Sequence, residues 1–253
     1  MIDTHTHIYL PQFEEDRDEL FQRAQDAGVE AFYLPNIDRD SLPAVRKMAE
    51  DRDNCYPMAG LHPGHVKDDY KEQLAAVFEE LDGATPYCAV GEIGVDLYWD
   101  KTYREAQRKA FGIQVEKAME MGLPIVIHCR DAFEDTFEVL ETLADDRLFG
   151  IFHCFTGSLE QAQRAIGLNL KLGIGGVVTF KNAGLDKVVE QLGLETLVLE
   201  TEAPYLAPAP FRGKRNEPAY LSYIARRVAD LHQRPLEEVD RITSANARQI
   251  FHR

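Results

Sequence analysis

Residues 87–131 read YCAVGEIGVDLYWDKTYREAQRKAFGIQVEKAMEMGLPIVIHCRD, and this stretch decides the fold. It opens on a short apolar run, 87–92, and closes on a second, 124–128. Between them, 103–121 carries the helical period. Ala106, Ala110, Phe111, Ile113, Val115 and Ala118 are expected mostly on one face, and Gly122 supplies the stop. Two strands joined by a helix of this length pair in parallel, because a tight hairpin cannot return the chain in the same direction.

The same alternation runs through the chain. Further strands are expected near 1–7, 30–35, 56–61, 149–153, 169–174 and 196–200. Helical patterns follow at 13–27, 133–145, 158–167 and 184–192, and two more, 218–232 and 235–250, close the chain. Eight strand–helix units of roughly 30 residues predict an α/β fold, a (β/α)8 TIM barrel. The rival is an open doubly wound sheet, which gathers its functional residues at one crevice. Here no glycine-rich phosphate loop follows the first strand, and chemistry-bearing residues sit at the ends of at least six strands. No linker or composition shift divides the chain, so 1–253 is expected to be a single domain.

Bulk composition bounds the function. Hydrophobic residues make up 45% of the 253, and the formal net charge is −15. That charge argues against a broad basic surface, although local arginines and bound cations still allow a nucleic-acid substrate. No apolar run is long enough to span a bilayer and no secretory leader is visible, so no membrane contact is expected and the default location is the cytoplasm. Cys55, Cys88, Cys129 and Cys154 form no CxxC pair and are expected to be free thiols. Cys129 and Cys154 directly follow His128 and His153, so in regular strands they face away from any site that holds those histidines.

The strand ends carry the chemistry. His5 and His7 lie two apart on the first strand and point the same way. Glu92 ends an apolar run between Gly91 and Gly94, and its two oxygens are able to bridge two cations. His128 and His153 each close a β-rich run, PIVIH and FGIFH. Glu202 lies on the eighth strand or just after it and shares a face with Glu200 if the strand stays regular, and spacing does not decide which of them touches metal. Histidine and carboxylate converging from separate strands is the donor set of a catalytic metal centre. His62, in GLHPGH, fits a phosphate or leaving-group contact better than a ligand, and His65 fits a turn. His232 and His252 fall in the C-terminal helical region and are expected at the surface. The segment 210–218, PFRGKRNEP, concentrates Arg212, Lys214, Arg215 and Asn216, and Arg130 lies two beyond His128, so these are candidate phosphate contacts. Tyr98 and Trp99 are placed to stack on a base or sugar, or to pack over the barrel mouth.

IDTHTH, GLHPGH, VGEIGVDLYW, PIVIHCRDA, HCFTGS and ETEAPYLAP followed by FRGKRNEP resemble the TatD family of metal-dependent hydrolases, within the amidohydrolase-like barrels. The matching stretches run from residue 2 to 218, in order and at family spacing. The resemblance implies one to three divalent ions (Zn, Mn, Mg, Ni or Fe) and hydrolysis of DNA phosphodiesters through a metal-activated water, as a 3′–5′ exonuclease on single-stranded ends. It assigns His5 and His7 to one metal, Glu92 to the bridge, and His128 and His153 to the second metal. Glu202 binds and steers at the first metal, with Glu92 and His62 as its catalytic partners. His62 and the basic loop meet phosphate. One position departs: the family shows ETD where this chain reads ETE, so Glu202 reaches roughly 1.3–1.5 Å further than Asp. A monomer is expected. Two alternatives stand beside this reading: a metal-dependent amidohydrolase or esterase acting on a small ester, amide or lactone, and a catalytically impaired metal-binding barrel.

Overall fold

In the computed structural model, which describes residues 1–251, strands and helices alternate along the chain. The strands are β1 (Ile2–Asp3), β2 (Ala31–Pro35), β3 (Cys55–Met58), β4 (Val90–Asp96), β5 (Ile125–Arg130), β6 (Gly150–Phe152), β7 (Leu170–Ile174) and β8 (Leu197–Leu199). The helices are α1 (Arg17–Asp26), α2 (Leu42–Asp51), α3 (Tyr70–Leu81), α4 (Arg104–Met121), α5 (Phe133–Leu143), α6 (Leu159–Gly167), α7 (Leu185–Val189), α8 (Leu221–His232) and α9 (Leu236–Phe251). His252 lies outside the described residues.

Contacts divide the chain into two units, each assembled from separate stretches. The first comprises Met1–Leu34, Cys154–Gln163 and the chain from Lys171 onward. In it β1 pairs with β2 and β7 with β8, both in parallel. Tyr33 of β2 stacks on Phe251 of α9, and Asn246 of α9 donates to the carbonyls of Leu194 and Leu197, which fixes the helix against the start of β8.

The second unit comprises Pro35–His153 and Arg164–Leu170. Its centre is the parallel set β4-β5-β6. Ile125, Val126 and Ile127 are all buried, as expected for strands covered on both faces, where alternation gives way to a continuous apolar run. α4 packs on β4 and on α5 and ends on Gly122, whose φ of 65° closes the helix in the left-handed region where a side chain is disfavoured. Ile113 turns outward and is exposed, contrary to the one-face expectation: two residues along a helix is about 200° from Phe111. Cys129 does face away from His128, accepting from the Thr136 hydroxyl on α5, and burial pushes its thiol up to about 11.

Candidate metal centre

In the second unit, three imidazoles meet on one carboxylate oxygen. Glu92 Oε1 lies 2.7 Å from His128 Nδ1, 2.9 Å from His153 Nε2 and 3.5 Å from His62 Nε2. Glu92 does not sit at the end of its strand, as its apolar run suggests, but inside β4. The register with β5 passes from Gly91↔Val126 to Ile93↔Ile127 and skips Glu92. Glu92 is therefore the extra residue of a β-bulge, the device by which a strand re-aims one side chain. Its freed amide donates to the Asn36 carbonyl, and the Asn36 side chain in turn accepts from Gly60 N–H.

Asp96, a residue that the sequence reading passed over, completes this group. Its Oδ2 lies 2.9 Å from His128 Nε2, so His128 is held between two carboxylates. Burial alone drives the His128 imidazole toward the neutral form, but the hydrogen bonds to Asp96 and Glu92 outweigh it and raise its pKa. The signal in the sequence was available: Asp96 closes the same apolar stretch that Glu92 interrupts.

His62 lies four residues past the end of β3, on a loop anchored from both sides. Leu61 and Val66 pack with Leu74 and Ala110 in one buried cluster. Buried Gln114, on α4, accepts from Leu61 N–H at 2.6 Å and donates to Leu61 O at 3.2 Å. Gln107, one heptad earlier, accepts from Asp96 N–H. One helix face thus fixes the backbone beside His62 and at Asp96. Gln114→Ala leaves a buried N–H and C=O unsatisfied, and urea unfolding is expected to show a loss of about 1–3 kcal/mol. A change below half a kcal/mol would dismiss this anchoring. Gly64 N–H donates to His62 Nδ1, which leaves the ring proton on Nε2, facing Glu92. Burial, and secondarily His128, push the His62 imidazole down to about 3, so it is neutral at pH 7. His65 pairs with Asp38 at 2.9 Å, which fits its reading as a turn residue.

The first unit holds the other donors. β1 ends at Asp3, and His5 and His7 lie just beyond it, in chain fixed by Thr6 N–H to Tyr33 O and His7 N–H to Ala203 O. Their Nε2 atoms face each other at 3.3 Å, and Glu202 Oε2 stands 3.2 Å from His5 Nε2. The Tyr9 hydroxyl holds the other nitrogen of His7 at 3.0 Å. Glu202 carries a φ of 63°, a left-handed conformation that is costly for a residue with a Cβ. β8 stops at Leu199, so the face-sharing expected of Glu200 and Glu202 does not arise. Glu200 is fully buried over Gly173 and accepts from Cys154 N–H, while Glu202 meets the histidines. Asp3 is also fully buried; despite hydrogen bonds from Thr201, burial raises its pKa to about 8.

The donors suit divalent cations. Metal–nitrogen bonds of about 2.0–2.1 Å at tetrahedral angles place two donor atoms about 3.3–3.4 Å apart. The His5–His7 and His5–Glu202 separations of 3.3 and 3.2 Å fall there. In the second unit the ligand atoms of His62, Glu92 and His128 lie within 4.8 Å of one another. Mixed imidazole and carboxylate ligation fits Zn, Mn, Ni or Fe.

The basic loop divides by role. Arg215 is bound to Asp16 at 2.6 and 2.8 Å and to Gln12 O, so its guanidinium braces the loop. Asn216 is fully buried and donates to the carbonyls of Thr201 and Tyr205, tying the loop to the turn that carries Glu202. Arg212 lies over the Phe180 ring, and both Arg212 and Lys214 are exposed. Arg130 is also exposed. His232 is half-buried, not at the surface as expected, because its position late in α8 turns the ring inward, and burial lowers its pKa. No described helix is long and apolar enough to cross a membrane.

The chain matches the family model described as TatD related DNase over residues 2–252. It is 40% identical over 252 residues to the uncharacterized metal-dependent hydrolase YabD of Bacillus subtilis, covering 99% of this chain and 98% of that protein. It is 32% identical over 258 residues to the 3′-5′ ssDNA/RNA exonuclease TatD of Erwinia billingiae, with 99% and 98% covered. Among solved structures it superposes on YJJV, a TatD homolog from Escherichia coli, with a TM-score of 0.95 at 30% identity, covering 100% of this chain and 98% of that one. The fold is the (β/α)8 barrel.

Proposed function

The chain belongs to the family of TatD related DNases, and from that premise we propose that it is a metal-dependent hydrolase cleaving phosphodiester bonds of single-stranded nucleic acid from the 3′ end. The observation that carries this is Glu92, a buried carboxylate whose one oxygen meets the imidazoles of His62, His128 and His153.

Glu92, His128 and His153 would hold one cation, and His5, His7 and Glu202 another. Such ions supply Lewis-acid polarisation of a phosphoryl oxygen and a lowered pKa for water. Asp96 orients the His128 ring from its far nitrogen, as the outer partners of metal-bound histidines do. His62 takes a different part. Its Nε2–H is a neutral donor, fit to hydrogen-bond a phosphate oxygen that now has Glu92 in its place. Arg212 and Lys214 are exposed and would meet the flanking phosphates, whereas Arg215 is engaged by Asp16.

The net charge of −15 favours a rival substrate, a small neutral ester, amide or lactone, since it repels polyanions. Release of nucleotides from a 3′-labelled single-stranded oligonucleotide separates the two. EDTA is expected to abolish release, and Mn or Zn to restore it. Arg212→Glu with Lys214→Glu is expected to lower kcat/KM on DNA at least about tenfold, since each phosphate contact contributes electrostatically, while hydrolysis of a neutral ester is spared. Undiminished release in EDTA would remove the metal from the reaction, and equal losses on both substrates would favour the small ester. A metal-loaded protein that turns over neither is the impaired barrel.

A further inference from the structure

Tyr98 and Trp99 follow β4 after one intervening residue, Leu97, and are 48% and 80% exposed. Their rings stand at 89° with centroids 4.6 Å apart. The Arg130 guanidinium lies 3.6 Å from the Tyr98 centroid and 5.8 Å from that of Trp99. No carboxylate within ion-pairing distance claims Arg130 among the described residues, so its cation stays available while it rests against the rings.

The cluster is tied to the ligands by one side chain. Asp96 Oδ1 accepts from Tyr98 N–H at 3.0 Å, while its Oδ2 lies 2.9 Å from His128 Nε2. Leu97 N–H donates to Arg130 O, and Asp96 pairs in register with Arg130. The aromatic pair therefore starts two residues beyond a group that holds His128, and Arg130 lies two residues beyond His128 itself.

We propose that Tyr98, Trp99 and Arg130 form a nucleobase-stacking step, on which one unpaired base of a single strand lies against Trp99 while Arg130 takes the adjoining phosphate. This rests on the nuclease reading and adds to it the means by which a single strand is recognised. A ring face beside a planar cation matches a base beside a phosphate, and every base has a face, so the step tolerates sequence. It requires an unstacked base, which selects single strands and frayed ends over intact duplex.

Trp99 is the only tryptophan, so its fluorescence reports on this step alone. The metal-loaded protein is titrated with a phosphorothioate oligothymidylate, which resists hydrolysis, and with an abasic strand of equal length and charge. The base-bearing strand is expected to quench the emission to saturation, and the abasic strand to leave it unchanged. Trp99→Ala, read by the anisotropy of a labelled strand, is expected to weaken base-bearing DNA by about tenfold, the usual scale of one stacked base, and abasic DNA by less than about twofold. Trp99→Phe should recover most of the loss, and because the side chain is exposed neither variant threatens folding. Equal quenching by the two strands, or an unchanged Kd in Trp99→Ala, overturns the stacking step. A wild-type protein that cleaves DNA while Trp99→Ala keeps its Kd leaves the nuclease reading standing. A protein that neither binds nor cleaves nucleic acid overturns both.

Discussion

Glu92→Gln is expected to lower kcat on single-stranded DNA by at least about a thousandfold while the protein remains folded. A thousandfold corresponds to about 4 kcal/mol of barrier, within the several kcal/mol that a divalent cation supplies to phosphoryl transfer. Glutamine keeps the shape of the side chain and discards its charge. Three imidazoles then face an amide, and a cation among neutral donors in a buried site has lost its counter-charge. The fold survives because the loss is self-correcting: without the Glu92 hydrogen bond, His128 gives up its proton more readily, and no unpaired charge is stranded. Metal content by mass spectrometry should fall in the same variant, with the circular-dichroism melt within a few degrees of wild type. A variant that keeps its metal and works within fivefold of wild type would show that Glu92 is structural.

How far the site could be read beforehand depends on what kind of physics placed each residue. The residue types, their order and the parallel fold follow from local pattern, which is why His5, His7 and His153 fall just past the ends of their strands, while β5 runs two residues beyond His128 and leaves it inside the strand. The bulge at Glu92 does not, since alternation continues on either side of it and only the pairing with β5 exposes the skipped residue. Asp96 escaped because its role comes from its strand neighbour, His128, 32 residues away in the chain. The choice between Glu200 and Glu202 turned on where β8 stops and on a left-handed backbone at a residue that is not glycine. Arg215 and Asn216 read as phosphate contacts by composition, yet Asp16 and two carbonyls engage them, long-range partners that no local motif announces.

Gly94→Ala is expected to cost the protein more than about 3 kcal/mol, at the severe end for a single substitution. Gly94 has a φ of 148°, where a side chain is strained whatever the space around it. Space is also lacking, because a Cβ there would fall on the carbonyl oxygen of His128 and crowd that residue's carbonyl carbon and amide nitrogen. These are backbone atoms in a paired ladder, Gly94↔His128, so relief requires β4 and β5 to part. Gly112 supplies the opposite case on α4. A Cβ there would meet Val139 Cγ1 and Leu143 Cδ1 at 3.6 and 3.7 Å, an ordinary contact, inside a helix where alanine is preferred to glycine. Gly112→Ala is therefore expected to stabilise by about 0.4–1 kcal/mol. For a chain of this size each kcal/mol moves the midpoint by about 2–4 °C, so the two variants should melt at least about 7 °C apart, in opposite directions from wild type. Melting points within a degree of each other would refute the close approach of β4 and β5. That approach also aims the site: Gly94 lies midway between Glu92 and Asp96, and only a side chain of hydrogen lets both carboxylates reach the two nitrogens of one imidazole.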